Sequence, residues 1–216
     1  MRLRRRAAFS PGRGTAILGG LATAAVAGVV IGEIGRVWRR GSAPLPQETE
    51  HLLAAAEEAV AETAEVARAG YREVSTRENS MFNLLTSFAA TFIAVRSITY
   101  VLRDRRRVGP FRNVRVGRRH IHHFVPGIVI AFAAGSGAIL TRSEGFEPWL
   151  AMPFGVGMGL TLDESALLLE LEDVYWSREG LLSVQITLAV MSLLGALALG
   201  LRFLRRGEQV VLEQSE

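Results

Sequence analysis

Histidines and carboxylates within or beside apolar segments are the residues of this chain whose types could do chemistry. A charged side chain in such a segment costs at least ~2.5–3.5 kcal/mol on insertion scales, so it persists only when it is paired, neutralised, bound to a metal or exposed to water. Imidazole and carboxylate groups suit Zn, Fe or Mn, and a water on such a metal is a nucleophile. One interpretation is therefore a divalent-metal site, hydrolytic in its chemistry, with the ligands His120, His123, Asp163, Glu164 and Glu170.

Helical spacing is what would bring these ligands together. His120 and His123 are three residues apart, so they share a face of a helix that begins at His120. Asp163 and Glu170 are seven apart and share a face of the next helix. The short connection at 141–148 makes the two helices antiparallel neighbours, so both groups are expected in the same half of the membrane.

Arg96 offers Asp163 a simpler partner. By helical rise, Arg96 lies about 9 Å and Asp163 about 12 Å from the same end of their helices. A second interpretation is therefore a structural ion pair between Arg96 and Asp163, with the histidines lying at the membrane interface. A path for protons or a solute is a third interpretation, although the chain has no internal repeat of the kind that transporters show.

Long apolar blocks dominate the elements that must position these residues. The chain has 216 residues, 49% of them hydrophobic, and no cysteine, which excludes disulfides and thiolate metal sites. Its apolar residues fall into five blocks near the ~20 residues that cross a bilayer, at about 15–32, 81–102, 121–141, 149–171 and 181–201. We therefore predict an all-α transmembrane bundle of about five spans in a bacterial cytoplasmic membrane, with the lipid bilayer as its partner.

The distribution of charged and apolar residues along the chain predicts four regions. These are a basic leader with the first transmembrane helix (1–41), an extracytoplasmic Ala/Glu helix (42–80), a four-helix transmembrane core (81–206) and a polar tail (207–216). The loop 103–119 carries eight arginines, which places it and the leader in the cytoplasm. Because the arginines flank apolar blocks, as this rule expects, no nucleic-acid partner is predicted.

Two features of the topology stay open in the sequence. The first apolar block is either a retained helix, packed through Gly28 and Gly32, or a signal peptide cleaved after Ala27. The fourth block contains a clean apolar run of only 14 residues, at 149–162, so it either crosses the membrane or dips in and returns. Five crossings are favoured, although they leave the arginines at 202–206 outside, against the positive-inside rule.

The Ala/Glu helix carries a weak coiled-coil pattern. Leu53, Val60, Ala67 and Val74 recur every seven residues, with the small residues Ala56, Thr63 and Gly70 between them in the same stripe. This pattern predicts self-association or a protein partner through 47–79. The alternative is a solvated helix without a partner. The pattern also allows this helix to continue into the second apolar block without a break.

Glycines in the fourth block are assigned to packing. Gly155, Gly157 and Gly159 lack the preceding strand of a nucleotide-binding loop, so close helix contacts are predicted instead.

Two segments carry a resemblance to known proteins. They are FRNVRVGRRHIHH at 111–123, followed by Pro126-Gly127, and GLTLDE at 159–164, followed by LEDVYW at 171–176. With these motifs the region 80–200 resembles a family of uncharacterised bacterial integral membrane proteins. The resemblance implies a membrane fold in which a histidine segment accompanies an acidic segment. It implies no activity and no catalytic residues, so the sequence predicts an integral membrane protein of unassigned activity.

Overall fold

The structure, a computed structural model, describes residues 13–104, 115–116, 119–120, 123–141, 143–163 and 178–212. Its regular elements there are six helices and one pair of short antiparallel strands. The helices are α1 (Arg13–Arg40), α2 (Leu52–Glu73), α3 (Thr76–Asp104), α4 (Phe124–Thr141), α5 (Glu147–Asp163) and α6 (Arg178–Val211). The antiparallel strands are β1 (Arg115–Val116) and β2 (Arg119–His120). The predicted helical class is confirmed.

Four of these helices are long and apolar enough to cross a membrane: Gly20–Arg40, Thr76–Ile98, Phe124–Thr141 and Leu188–Val211. Several large apolar side chains on these helices are exposed. Examples are Ile31, Phe132 and Leu140, and the last of these is 81% exposed. Such a surface is expected where hydrocarbon, and not water, surrounds a helix. The protein is therefore a helical bundle of the membrane class. Helix α5, with 17 residues and an internal Pro153, is shorter than these four.

Glycines let α5 pack between α3 and α4. A Cβ on Gly159 would lie 3.1 Å from the carbonyl oxygen of Phe88 on α3. A Cβ on Gly157 would lie 2.5 Å from the amide nitrogen of Ala131 on α4. The distance at Gly157 is too short for any larger residue, and the distance at Gly159 is tighter than an ordinary contact of a Cβ atom. The prediction that these glycines serve close helix packing is confirmed.

Helix α2 ends before α3 begins. Val74 is extended (φ −91°, ψ 168°), so the two helices are not continuous. Ser75 then caps α3, because its hydroxyl accepts a hydrogen bond from the Glu78 amide (3.3 Å) while the Glu78 carboxylate accepts one from the Ser75 amide (3.1 Å). This reciprocal Ser-x-x-Glu capping box supplies the break that the apolar pattern concealed.

The buried face of α2 differs from the predicted seam. Its buried residues are Ala55, Ala59, Val66 and Gly70, whereas Leu53 is 84% exposed and Val60 is half exposed. The packing partners of α2 are α6 and the end of α1. Leu53 and Val60 of the predicted stripe therefore lie on the outside of the helix, whereas Gly70, one of its small residues, lies in the buried face.

Small residues also bring α2 and α6 together. A Cβ on Gly70 would overlap the carbonyl oxygen of Phe203, and one on Gly207 would overlap that of Val66. Beside this crossing, Phe203 packs edge-to-face with Tyr71 at a centroid distance of 5.6 Å. Gly207 is buried and α6 continues to Val211, so the helix extends beyond residue 206, where the polar tail was expected to begin.

Side-chain contacts fix the relative directions of the helices. Asn83 bonds the carbonyl of Pro148 at one end of α3, and Arg96 meets Asp163 near the other end, so α3 and α5 run parallel. Glu33 of α1 meets Arg205 of α6, and further along each helix Arg40 meets Glu208. Helices α1 and α6 therefore also run parallel, and they end on the same side of the bundle.

Candidate ion-pair site

Asp163 is the last residue of α5, and its side chain is only 2% exposed. The C-terminal end of a helix carries partial negative charge on its unsatisfied carbonyl groups, so a buried carboxylate there is doubly unfavourable. The position requires a cation that also donates hydrogen bonds.

Arg96 of α3 supplies both. Its Nε lies 2.8 Å from Oδ1 of Asp163, and its Nη2 donates to the backbone carbonyl of the same residue at 3.3 Å. One planar guanidinium therefore neutralises the carboxylate and caps α5. The guanidinium carbon also lies 5.5 Å from the ring centroid of Phe92, one turn earlier on α3, within the range of a cation–π interaction.

His123 brings a third helix to the site. Its carbonyl accepts the first helical hydrogen bond of α4, from the amide of Gly127 (3.1 Å), so it is the N-cap residue of that helix. Its Nε2 lies 3.1 Å from Oδ2 of Asp163. Because an ionised carboxylate only accepts hydrogen bonds, this contact requires the proton on Nε2. The two oxygens of Asp163 thus bind side chains from two different helices.

The predicted start of the third transmembrane helix at His120 is wrong. The helix begins at Phe124, and the backbone of His120 lies in β2, opposite Arg115. Pro126 falls in the first turn of α4, where its missing N–H leaves no helical bond unmade, and this favours a start close to it. His120 and His123 therefore do not share a helical face, and the side chain of His120 is outside what the structure describes.

Of the predicted site residues, the structure brings together Arg96, His123 and Asp163. Glu164 and Glu170 lie outside the described residues. Among the residues that are described, no group of three or more His, Asp or Glu side chains is arranged to hold a metal ion. The guanidinium of Arg96 also places positive charge against the carboxylate that a metal would need. The described geometry is that of an ion pair with a hydrogen-bonded histidine.

A second buried carboxylate, Glu208 on α6, was not anticipated from the sequence. Its side chain is 4% exposed and lies near three guanidinium groups: Arg40 at 2.9 Å, Arg36 at 3.2 Å and Arg205 at 3.3 Å. Arg205 also bonds both carboxylate oxygens of Glu33 at 2.8 Å. The sequence signal was the spacing of Arg36 with Arg40 and of Arg205 with Glu208, which places each pair on one helical face.

Two asparagines between these two sites join neighbouring helices through side-chain hydrogen bonds. The Asn83 amide donates to the hydroxyl of Tyr71 (2.9 Å) and to the carbonyl of Pro148 (2.8 Å), which links α3 to α2 and α5. Asn79 donates to the carbonyl of Tyr71 (2.9 Å) across the α2–α3 break. Both asparagines are buried, so these bonds fix the mutual positions of three helices.

Comparisons with protein-family models, curated proteins and solved structures found no match, so the functional argument rests on the contacts within this chain.

Proposed function

We propose that this protein is a five-span structural or interaction protein of the bacterial cytoplasmic membrane. In this proposal the cluster of Arg96, His123 and Asp163 joins helices, and α2 with the ends of α1 and α6 forms an extracytoplasmic part that binds a protein partner or a second copy. The observation that carries the structural role is the buried Asp163 carboxylate bound by residues of two other helices. Membership of the uncharacterised family that the sequence resembles is part of the proposal and adds no activity.

The length of α5 supports a fifth crossing. Its early residue Leu150 packs near Gly137 of α4, and its last residue, Asp163, meets His123 at the other end of α4. Helix α5 therefore runs antiparallel to α4 over nearly its full length, and its 17 residues span roughly 25 Å. A segment that dips in and returns would not keep one direction over this distance.

Ion pairs support the same topology. The positive-inside rule disfavours arginines on the outer side of the membrane, and ion pairs with glutamates neutralise part of their charge there. With five crossings the ends of α1 and α6 lie outside, together with Arg202 and Arg205. Arg205 is bound by Glu33 and Glu208, and Arg202 lies 2.9 Å from Glu78. The positive-inside bias of the 103–119 loop is then the stronger signal, since it has one acidic residue against eight arginines.

Cysteine labelling tests the topology directly, since the chain contains no cysteine. Glu57→Cys on α2 and Gln209→Cys near the end of α6 both replace exposed side chains. A membrane-impermeant maleimide added to intact cells is expected to label both variants. Labelling of Glu57→Cys without labelling of Gln209→Cys, when both react after lysis, would reject five crossings.

Metal content tests the structural role against the metal-dependent alternative. Detergent-purified wild type is expected to contain less than stoichiometric Zn, Fe or Mn, with or without added metal, and Asp163→Ala is expected to unfold at lower temperature. Glu144→Ala, which removes an exposed loop carboxylate, is the matched control. Stoichiometric metal in the wild type, lost in both His123→Ala and Asp163→Ala but kept in the control, would replace this proposal with a metal site.

A further inference from the structure

Arginines gather at the side of the bundle where α1 and α6 end. We call this set the arginine rim: the charged residues at the end of α1, the start of α3 and the end of α6. It contains seven arginines and three glutamates, Arg36, Arg39, Arg40, Arg77, Arg202, Arg205 and Arg206 with Glu33, Glu78 and Glu208. Four positive charges therefore remain after every glutamate is paired. The neighbouring part of α2, residues 62–73, adds three glutamates and two arginines, because Glu62 binds the amide of Ser42 beside the end of α1, and it leaves three positive charges in excess.

The rim divides into inward and outward arginines. Arg36, Arg40 and Arg205 bind the buried or nearly buried carboxylates of Glu33 and Glu208. Arg39 and Arg206 are exposed and form no ion pair with these carboxylates among the described contacts. Within the described residues Arg39 has no hydrogen bond or ion pair. Arg206 donates to the side-chain oxygen of Gln209 at 3.3 Å, and its charge also acts on Glu78. Three of the four excess charges of the rim are therefore on the outer surface, on Arg39, Arg77 and Arg206. The fourth is in the ion-pair network, where three arginines share two glutamates.

Helical rise places the rim at the depth of lipid headgroups. The apolar run of α6 from Leu181 to Leu201 is about 30 Å long, which matches the hydrocarbon core, so Arg206 lies roughly 7 Å beyond it. The apolar part of α1 ends at Gly32, and Arg39 lies roughly 10 Å further along the helix. Trp38 lies at the same depth, and its indole N–H donates to the carbonyl of Pro44, as expected for an interfacial anchor.

We propose that the arginine rim binds the phosphate groups of anionic phospholipids in the leaflet around the ends of α1 and α6, with Arg39 and Arg206 as the main lipid contacts. A guanidinium binds phosphate through paired hydrogen bonds. Neither residue forms an ion pair among the described contacts, and the carboxylate near Arg206, Glu78, is already paired with Arg202. The inference rests on the proposed membrane insertion and goes beyond it, because a span requires hydrocarbon but no particular headgroup.

Lipid competition tests the inference. Protein reconstituted in nanodiscs of phosphatidylcholine is exchanged against equal amounts of phosphatidylglycerol and phosphatidylcholine with the same acyl chains, and bound lipids are counted by native mass spectrometry. The wild type is expected to prefer phosphatidylglycerol. Arg39→Gln with Arg206→Gln is expected to lower this preference by about fivefold for each arginine removed.

The charge-retaining variant Arg39→Lys with Arg206→Lys is the matched control and is expected to keep more of the preference than the glutamine variant, because the charge remains although the paired hydrogen bonds are lost. Lipids held by the basic 103–119 loop contribute equally to all three proteins. An unchanged preference in the glutamine variant would overturn the inference while leaving membrane insertion intact. Failure of the wild type to enter phosphatidylcholine nanodiscs would reject the proposed function as well, so the two failures are distinguishable.

Discussion

Two buried carboxylates, Asp163 and Glu208, lie near opposite ends of this molecule, and they are held in different ways. Asp163 ends a helix inside the apolar core and meets one arginine and one histidine from two neighbouring helices. Glu208 lies beyond the apolar part of its helix and meets three arginines, which are 35–50% exposed. Burial of the acid is the same in both, and Arg96, which is 41% exposed, resembles the other arginines in this respect. What differs is the number of cations around the acid and the backbone carbonyl that Arg96 binds in addition.

This difference predicts how each site responds to substitution. At Asp163 one guanidinium serves the carboxylate and the end of α5 together, so the loss of one side chain removes both functions. At Glu208 the cations share one acid, so each of them contributes little, while the acid contributes to every pair. The Asp163 site should therefore be most sensitive to loss of its arginine, and the Glu208 site to loss of its carboxylate.

Arg96→Met should give the largest effect. The aliphatic stem remains, but a buried carboxylate loses its guanidinium, which should lower the free energy of unfolding by about 3 kcal/mol. Thermal and denaturant unfolding in detergent would measure it. The exchange Arg96→Asp with Asp163→Arg should recover part of the loss. A stability equal to wild type in Arg96→Met would show that the two sites do not differ in the way described.

Glu208→Gln should come next, at about 2 kcal/mol. The amide keeps the shape of the side chain but leaves Arg36, Arg40 and Arg205 without the shared charge, although water solvates them in part. The same unfolding measurement applies. Exposed Gln209→Ala, one residue further, is the local control. An effect larger than that of Arg96→Met would reverse the proposed order of the two sites.

Arg40→Gln should have the smallest effect, about 0.5 kcal/mol, because its side chain is half exposed and two other arginines remain beside Glu208. A double-mutant cycle with Glu208→Gln would isolate the pair energy. A coupling above about 2 kcal/mol would show that the three arginines act as one unit and do not share the acid independently.

The sequence located the first site better than the second, for a physical reason. Asp163 and Arg96 could be found because charges inside apolar blocks require partners, and helical rise placed them at similar depths. Glu208 lies in a polar segment, where an acid is unremarkable until the rotation of α6 against α1 is known. The rotation of α6 is set by its close crossing with α2 at Gly207 and Gly70, which the pattern of a single helix does not predict.

Helix ends account for most of the other differences. The capping box at Ser75 and Glu78 was present in the sequence, yet the Ala/Glu pattern around it favoured continuity. His123 was placed inside a helix when it caps one, since the histidine run resembles the start of an apolar block. A cap depends on one or two hydrogen bonds, so its signal in the sequence is weak compared with the periodicity of a whole helix.

The sequence separation of the partners sets an order of assembly. Asp163 follows His123 by 40 residues and Arg96 by 67, whereas Glu208 follows Arg40 by 168. At ribosomal speeds α1 would wait roughly 10–30 s for its partner on α6, long after the first site can close. The middle helices can therefore pack against one another first, and α1 can pair with α6 only at the end. The contact with Glu208 forms only after α6 has been synthesised.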